Sequence, residues 1–210
     1  MELTVENPLR VGLRLSDVPG PCALVIFGGS GDLAHRKLVP ALYNLALRGL
    51  LPAGFAVVGI GRSDYGGDEG YRESMRESVA KYSRTQPLDE TVWASFAEGL
   101  CYVRGGFDDP QLFAALGERL GQLDDARGTS GNVVFYLATP PTTFPLIVAG
   151  LGASGLSHED DGHFRRVVIE KPFGRDLSSA LELNQQEHEA IEESQDFRID
   201  HYLGKETVQN

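Results

Sequence analysis

Six short β-branched or aromatic runs recur along this chain with amphipathic or polar stretches between them. They are CALVIF (22–27), FAVVGI (55–60), CYVRG (101–105), NVVFYLA (132–138), RRVVIE (165–170) and FRIDHYL (197–203). Strands alternating with helical stretches imply a mainly parallel sheet. Leu24 to Phe27 and Val133 to Leu137 are almost continuously apolar. A strand wetted on one side would alternate, so these strands are expected to be covered on both faces. Between the runs, Leu38, Leu42 and Leu45 share a helical face, as do Leu112, Leu116 and Leu120, and Leu177 to Glu193 is long, polar and helix-prone. The expected fold class is α/β: a doubly wound, mainly parallel six-stranded sheet with helices on both faces.

Local signals refine this outline. Residues 1–20 lack periodicity and read as an N-terminal arm, and 21–196 as the α/β domain. Asp64–Gly70 and Ser154–His163 are Gly/Asp-rich and read as surface loops. Pro40 lies inside the first helical stretch, where it removes a backbone donor and is expected to kink the axis near a ligand.

The first strand runs into Gly28-Gly29-Ser30-Gly31-Asp32-Leu33-Ala34 and then into a helix. Strand, tight turn and helix N-terminus together suit a dinucleotide's diphosphate. Glycine permits positive φ and close backbone approach, and orphan N–H groups at a positive helix end attract anions without side-chain charge. The spacing is Gly-x-x-Gly-x-x-Ala rather than the commoner GxGxxG, so context carries this Rossmann-type reading. The second strand ends Gly59-Ile60-Gly61-Arg62-Ser63. A carboxylate there would bind ribose hydroxyls, whereas Arg62, with Ser63 adding a hydroxyl, suits a 2′-phosphate and favours NADP over NAD. A solvated loop arginine is the plainer alternative for Arg62.

A net charge of −11 argues against nucleic acid or an anionic membrane as partner. No apolar run reaches membrane-span length, and MELTVENPLR lacks the pattern of a signal peptide, so the cytoplasm is the expected compartment. Cys22 and Cys101, far apart and without metal-ligand spacing, read as reduced core thiols, and no metal is expected.

Two further segments stand at the ends of strand-like runs: Glu170-Lys171-Pro172-Phe173-Gly174 and Arg198-Ile199-Asp200-His201-Tyr202-Leu203-Gly204-Lys205-Glu206. With GGSGDLA they closely resemble the glucose-6-phosphate dehydrogenase family, whose GxxGDLA, EKPFG and RIDHYLGKE signatures stand here in order over about residues 20–210. The resemblance implies hydride transfer from C1 of glucose 6-phosphate to NADP in the pentose phosphate pathway, with a histidine base taking the hydroxyl proton. It implies that Gly28, Gly29, Ser30, Gly31, Asp32, Leu33, Arg62, Ser63, Tyr136 and Lys171 meet the cofactor. Lys37, Lys171, His201, Tyr202 and Lys205 would meet the sugar phosphate, and Asp200 would hold the catalytic base in orientation.

Read from the residues alone, several of these keep a second meaning. Lys37 also reads as a solvated helix lysine, Tyr136 as a core aromatic, His201 as a strand-end histidine and Asp200 as a capping carboxylate. Regular strand alternation would turn Asp200 and His201 to opposite faces, so both serve one site only if the backbone departs from β geometry there. Gly29, Ser30 and His35-Arg36 vary positions where the family often carries other residues.

The resemblance also implies a large β+α domain beyond Asn210, which supplies the base histidine and the interface of homo-oligomers, with 197–210 the start of the substrate-binding segment. His35, His158, His163 and His188 stand in contexts unlike that base. The expectation is a chain that binds NADP without turnover. The other readings are a free-standing NADP-binding sensor or partner module and a related sugar oxidoreductase.

Overall fold

Strand β1 (Cys22–Phe27) is buried along nearly its whole length because both its faces are packed. Ala23, Val25 and Phe27 point into one core, with Phe113, Leu116, Phe144 and Ile147. Ile26 points into the other, with Val39, Tyr43, Tyr71, Met75 and Trp93, and Leu24 packs against that cluster. One strand thus seeds two layers, as a doubly wound sheet requires. The computed structural model describes residues 18–159, 162–170 and 191–199.

All six expected strands are present: β1, β2 (Phe55–Gly61), β3 (Leu100–Arg104), β4 (Val133–Leu137), β5 (Arg165–Glu170) and β6 (Asp196–Ile199). They form one sheet in the order β3-β2-β1-β4-β5-β6, with every neighbouring pair parallel. The winding direction reverses between β1 and β4. In open α/β sheets the crevice beyond the strands' carboxyl ends at such a reversal is where ligands sit.

One layer is built by α1 (Val39–Leu47), α2 (Asp68–Tyr82) and α3 (Glu90–Glu98); α4 (Pro110–Arg127) and α5 (Phe144–Ala153) build the other. The start of α4 follows its sequence closely. The Asp109 carboxylate accepts from Gln111 N–H at 2.9 Å, Pro110 takes the first turn, and Gly128 closes the helix with φ 67°. Its Leu112, Leu116 and Leu120 are buried, as their spacing predicts.

Just ahead of Pro40 the helix changes its hydrogen-bonding pattern. The helix opens at Asp32, and Ala34–Leu38 form a π-helical turn in which the Val39 N–H reaches back to the Ala34 carbonyl. The wider turn accommodates the missing donor just ahead of the ring. The buried side of this helix is Ala34, Val39, Pro40 and Tyr43; Leu38 and Leu42 pack partly and Leu45 is exposed, so the leucine face is offset from the expected one.

Asp64–Gly70 is not wholly a loop, because α2 begins at Asp68. The Asp68 carboxylate accepts from the Tyr102 N–H at 2.9 Å, which ties the helix start to β3. The stretch 177–190 lies outside the described residues, and Glu193, the end of the expected polar helix, belongs to a 3-10 turn, Glu193–Gln195. Phe197 and Ile199 on β6 are exposed at the sheet edge. Among the described residues no helix is long and apolar enough to cross a membrane, and no group of His, Cys, Asp and Glu is arranged to hold a metal. Both cysteines are buried free thiols.

Candidate functional site

The glycine-rich turn is wedged between the ends of β2 and β4, which explains its composition better than flexibility does. Gly28 has φ +89°, and a Cβ there would stand 2.5 Å from the Ala138 carbonyl oxygen. A Cβ on Gly29 would stand 2.5 Å from the Gly59 Cα. Neither neighbour is a side chain that can swing aside. Ala34, fully buried, brings the helix onto the sheet.

The free donors of the turn are not those of the first two glycines. Gly28 and Gly29 N–H both donate to the Ile60 carbonyl, at 2.9 and 2.8 Å, and Gly31 N–H donates to the Gly28 carbonyl at 2.8 Å. The N–H groups of Ser30, Asp32 and Leu33 bond to no other described residue; those of Asp32 and Leu33 lie in the first helical turn, where no carbonyl four residues back is available. They stand at the start of a helix, where its positive end lies. Gly28 and Gly29 therefore let the turn close against β2 and β4, while Ser30, Asp32 and Leu33 carry its free N–H groups among the described residues. The Asp32 carboxylate is exposed and pairs with Arg36 at 3.4 Å.

Arg62 and Ser63 are exposed directly beyond β2. Arg62 makes no ion pair among the described residues, whereas Arg104 pairs with Asp64 at 2.5 Å. A Cβ on Gly61 would stand only 2.4 Å from the Ser30 hydroxyl oxygen. The second strand's exit, carrying Arg62, is thus set against the glycine-rich turn, so sequence positions 30 and 62 share one corner.

Beneath that corner lies a cluster the sequence reading missed. The rings of Tyr65, Tyr71 and Tyr102 pack at centroid distances of 5.2, 4.9 and 4.7 Å. The Tyr71 hydroxyl donates to the Gly29 carbonyl at 3.1 Å. Burial and the neighbouring Tyr65 and Tyr102 push its pKa far above the usual phenol range, so it stays a neutral donor. A Cβ on Gly59 would stand 2.2 Å from that hydroxyl, which accounts for glycine inside a strand. His35 bonds Ser78 at 2.7 Å and Tyr65 at 3.2 Å. Burial lowers its pKa, with Asp32 opposing in part. The only sequence signal for this cluster was the spacing of Tyr71, Met75, Ser78 and Val79 along an otherwise polar helix.

Lys37 is exposed on the π-helical turn and makes no ion pair among the described residues. Tyr136 is half-buried near the end of β4, on the face of Ile26, and its hydroxyl donates to the Glu170 carboxylate. Burial and that carboxylate raise the Tyr136 pKa. The tyrosine therefore ties β4 to the residue preceding Lys171. Lys171, Asp200, His201, Tyr202 and Lys205 lie outside the described residues.

Residues 25–210 match the family model described as "Glucose-6-phosphate dehydrogenase, NAD binding domain". The chain belongs to the glucose-6-phosphate dehydrogenase family. The glucose-6-phosphate 1-dehydrogenase 2 of Mycobacterium bovis is 49% identical over 207 residues, covering 98% of this chain and 40% of that protein. The glucose-6-phosphate 1-dehydrogenase of Chlamydia pneumoniae is 46% identical over 202 residues, covering 95% of this chain and 39% of its own length. The chain thus spans about 40% of the length of the curated relatives it matches. A solved glucose-6-phosphate dehydrogenase in complex with its substrate glucose 6-phosphate superposes with a TM-score of 0.79 at 31% identity, over 92% of this chain and 39% of that one. The nucleotide-binding role of this domain and the Rossmann-type fold agree with the turn described above.

Proposed function

We propose that this chain binds NADP in preference to NAD and forms the coenzyme half of a site that oxidises glucose 6-phosphate to 6-phosphogluconolactone. One observation carries the cofactor choice. Arg62 is an exposed guanidinium that makes no ion pair among the described residues, at a corner shared with Ser30 where an NAD site would need a carboxylate. A guanidinium offers a planar donor fork to a phosphate and loses little hydration in doing so. The N–H groups of Ser30, Asp32 and Leu33 hold the diphosphate, and Gly28 and Gly29 admit it closely. Bound NADP supplies the nicotinamide that accepts the hydride.

The substrate half extends the family reading. Lys171, beyond the Tyr136–Glu170 link, spans substrate and nicotinamide. His201, Tyr202 and Lys205 take the sugar phosphate, with Lys37 at its margin. Asp200 orients a base histidine that is not among the five histidines of this sequence. Residues 1–20 act as an arm, 21–196 as the NADP domain and 197–210 as the start of the substrate segment. Oligomers form through the rest of the family's architecture, and the compartment is the cytoplasm. The 210-residue chain alone therefore binds without turnover. The family match favours this reading over a free-standing partner module.

Titration of the purified chain with NADP and with NAD tests the cofactor assignment, with tighter NADP binding expected. Equal affinity for the two, or none for either, overturns it. Glucose-6-phosphate-dependent NADPH formation by this chain alone would overturn the no-turnover part only.

A further inference from the structure

Tyr102 sits on β3 opposite Gly59 of β2, and the residue is 8% exposed. Its hydroxyl has no solvent contact and completes no hydrogen bond among the described residues. A buried hydroxyl without a partner is uncommon and asks for a reason. A Cβ on Gly61 would lie 2.9 Å from this hydroxyl and 2.4 Å from the Ser30 hydroxyl oxygen. The two hydroxyls thus converge on the bare Cα that precedes Arg62. Glycine at position 61 is what leaves them room. The ring is fixed from two sides by Tyr65 and Tyr71, so the hydroxyl has little freedom to turn elsewhere.

We propose that Tyr102 is a positioning residue for the NADP 2′-phosphate: its hydroxyl donates to the Ser30 oxygen and directs the Ser30 proton outward to the phosphate. This rests on the NADP reading above. Phosphate oxygens only accept at neutral pH, so a serine serves them as a donor. A serine whose oxygen already accepts from a fixed phenol has its own proton aimed before the ligand arrives. Burial raises the Tyr102 pKa. The phenol therefore stays protonated and able to donate. Tyr102 touches Ser30 rather than the cofactor, and its effect belongs to the one phosphate that distinguishes NADP from NAD.

Binding of NADP, NAD, adenosine 2′,5′-bisphosphate and 5′-AMP to the full chain tests this in Tyr102→Phe, Ser30→Ala and the double variant. Tyr102→Phe is expected to weaken NADP and the bisphosphate by roughly three- to ten-fold, the size of one hydrogen bond, with NAD and 5′-AMP unchanged. The double variant is expected to bind NADP no more weakly than Ser30→Ala, because the phenol acts through the serine. Unchanged NADP affinity in Tyr102→Phe, equal losses for NADP and NAD, or additive losses in the double variant would overturn the proposal while leaving the NADP reading standing. If Tyr102→Phe unfolds, Ser30→Ala still decides. An equal effect of Ser30→Ala on the bisphosphate and on 5′-AMP overturns the relay. A wild-type chain without preference for NADP removes both readings together.

Discussion

The Tyr71 hydroxyl donates to the Gly29 carbonyl at 3.1 Å across 42 residues of sequence. A helix of the first layer thereby holds the glycine-rich turn from beneath. Tyr71→Phe leaves a buried carbonyl without its donor, which costs about 1–2 kcal/mol. Urea unfolding should show that loss, and both nicotinamide cofactors should bind more weakly if the turn holds the diphosphate they share, as proposed. Unaltered stability would mean that the bond is not made in solution.

Gly29 and Gly31 should differ sharply on substitution. A Gly29 Cβ meets backbone of β2 at 2.5 Å, whereas a Gly31 Cβ meets the Gly28 carbonyl oxygen at 3.1 Å. Gly29→Ala is expected to destabilise by about 1–3 kcal/mol through overpacking, and Gly31→Ala by much less. Matched thermal melts of the two variants check this, and equal costs would contradict the wedged geometry.

Arg62→Ala should weaken NADP by about 1–3 kcal/mol, the range of a charge-assisted phosphate contact, and leave NAD almost unchanged. Calorimetric titration with each cofactor measures the difference. Parallel losses would assign Arg62 to something other than the 2′-phosphate.

His35 should make the protein less stable in mild acid. Its folded pKa is below the ordinary 6.5 because burial disfavours the imidazolium. Between that lowered value and 6.5 the unfolded chain binds more protons. Stability therefore rises with pH through this window, is fully present above 6.5 and is lost as pH falls through the folded pKa. Unfolding midpoints from pH 5 to 7 should flatten in His35→Gln. An identical slope in the variant would exclude His35 as the cause.

Cys22 and Cys101 are buried, and burial raises the pKa of both thiols. Both should react slowly with a thiol reagent in the folded protein and rapidly in urea. Fast labelling of the native chain would show that the sheet opens more readily than its packing suggests.

Much of the fold was legible because strands and caps are local. The six β-branched runs became six parallel strands, the sixth described only as far as Ile199, and Asp109-Pro110 and Gly128 bound α4 as their chemistry predicts. Helix α2 was not legible as a whole. Its buried side is a narrow line of Tyr71, Met75, Ser78 and Val79 in a polar sequence, and Gly/Asp residues at its start read as loop. Leu45, apolar and in phase with Leu38 and Leu42, proved exposed because Val39 and Tyr43 face the sheet instead.

By itself the sequence determined the alternation of strands and helices, the glycine-rich turn ahead of a helix and the arginine at the end of the second strand, since each follows from neighbouring residues. Only the tertiary structure decided which N–H groups of the turn remain free, that Ser30 meets the exit of β2, and that three tyrosines support that corner. Those relationships join residues 30 to 42 positions apart. They arise only once parallel strands set the carboxyl ends of β1, β2 and β4 side by side, so that glycines distant in the chain make room for one another's backbones.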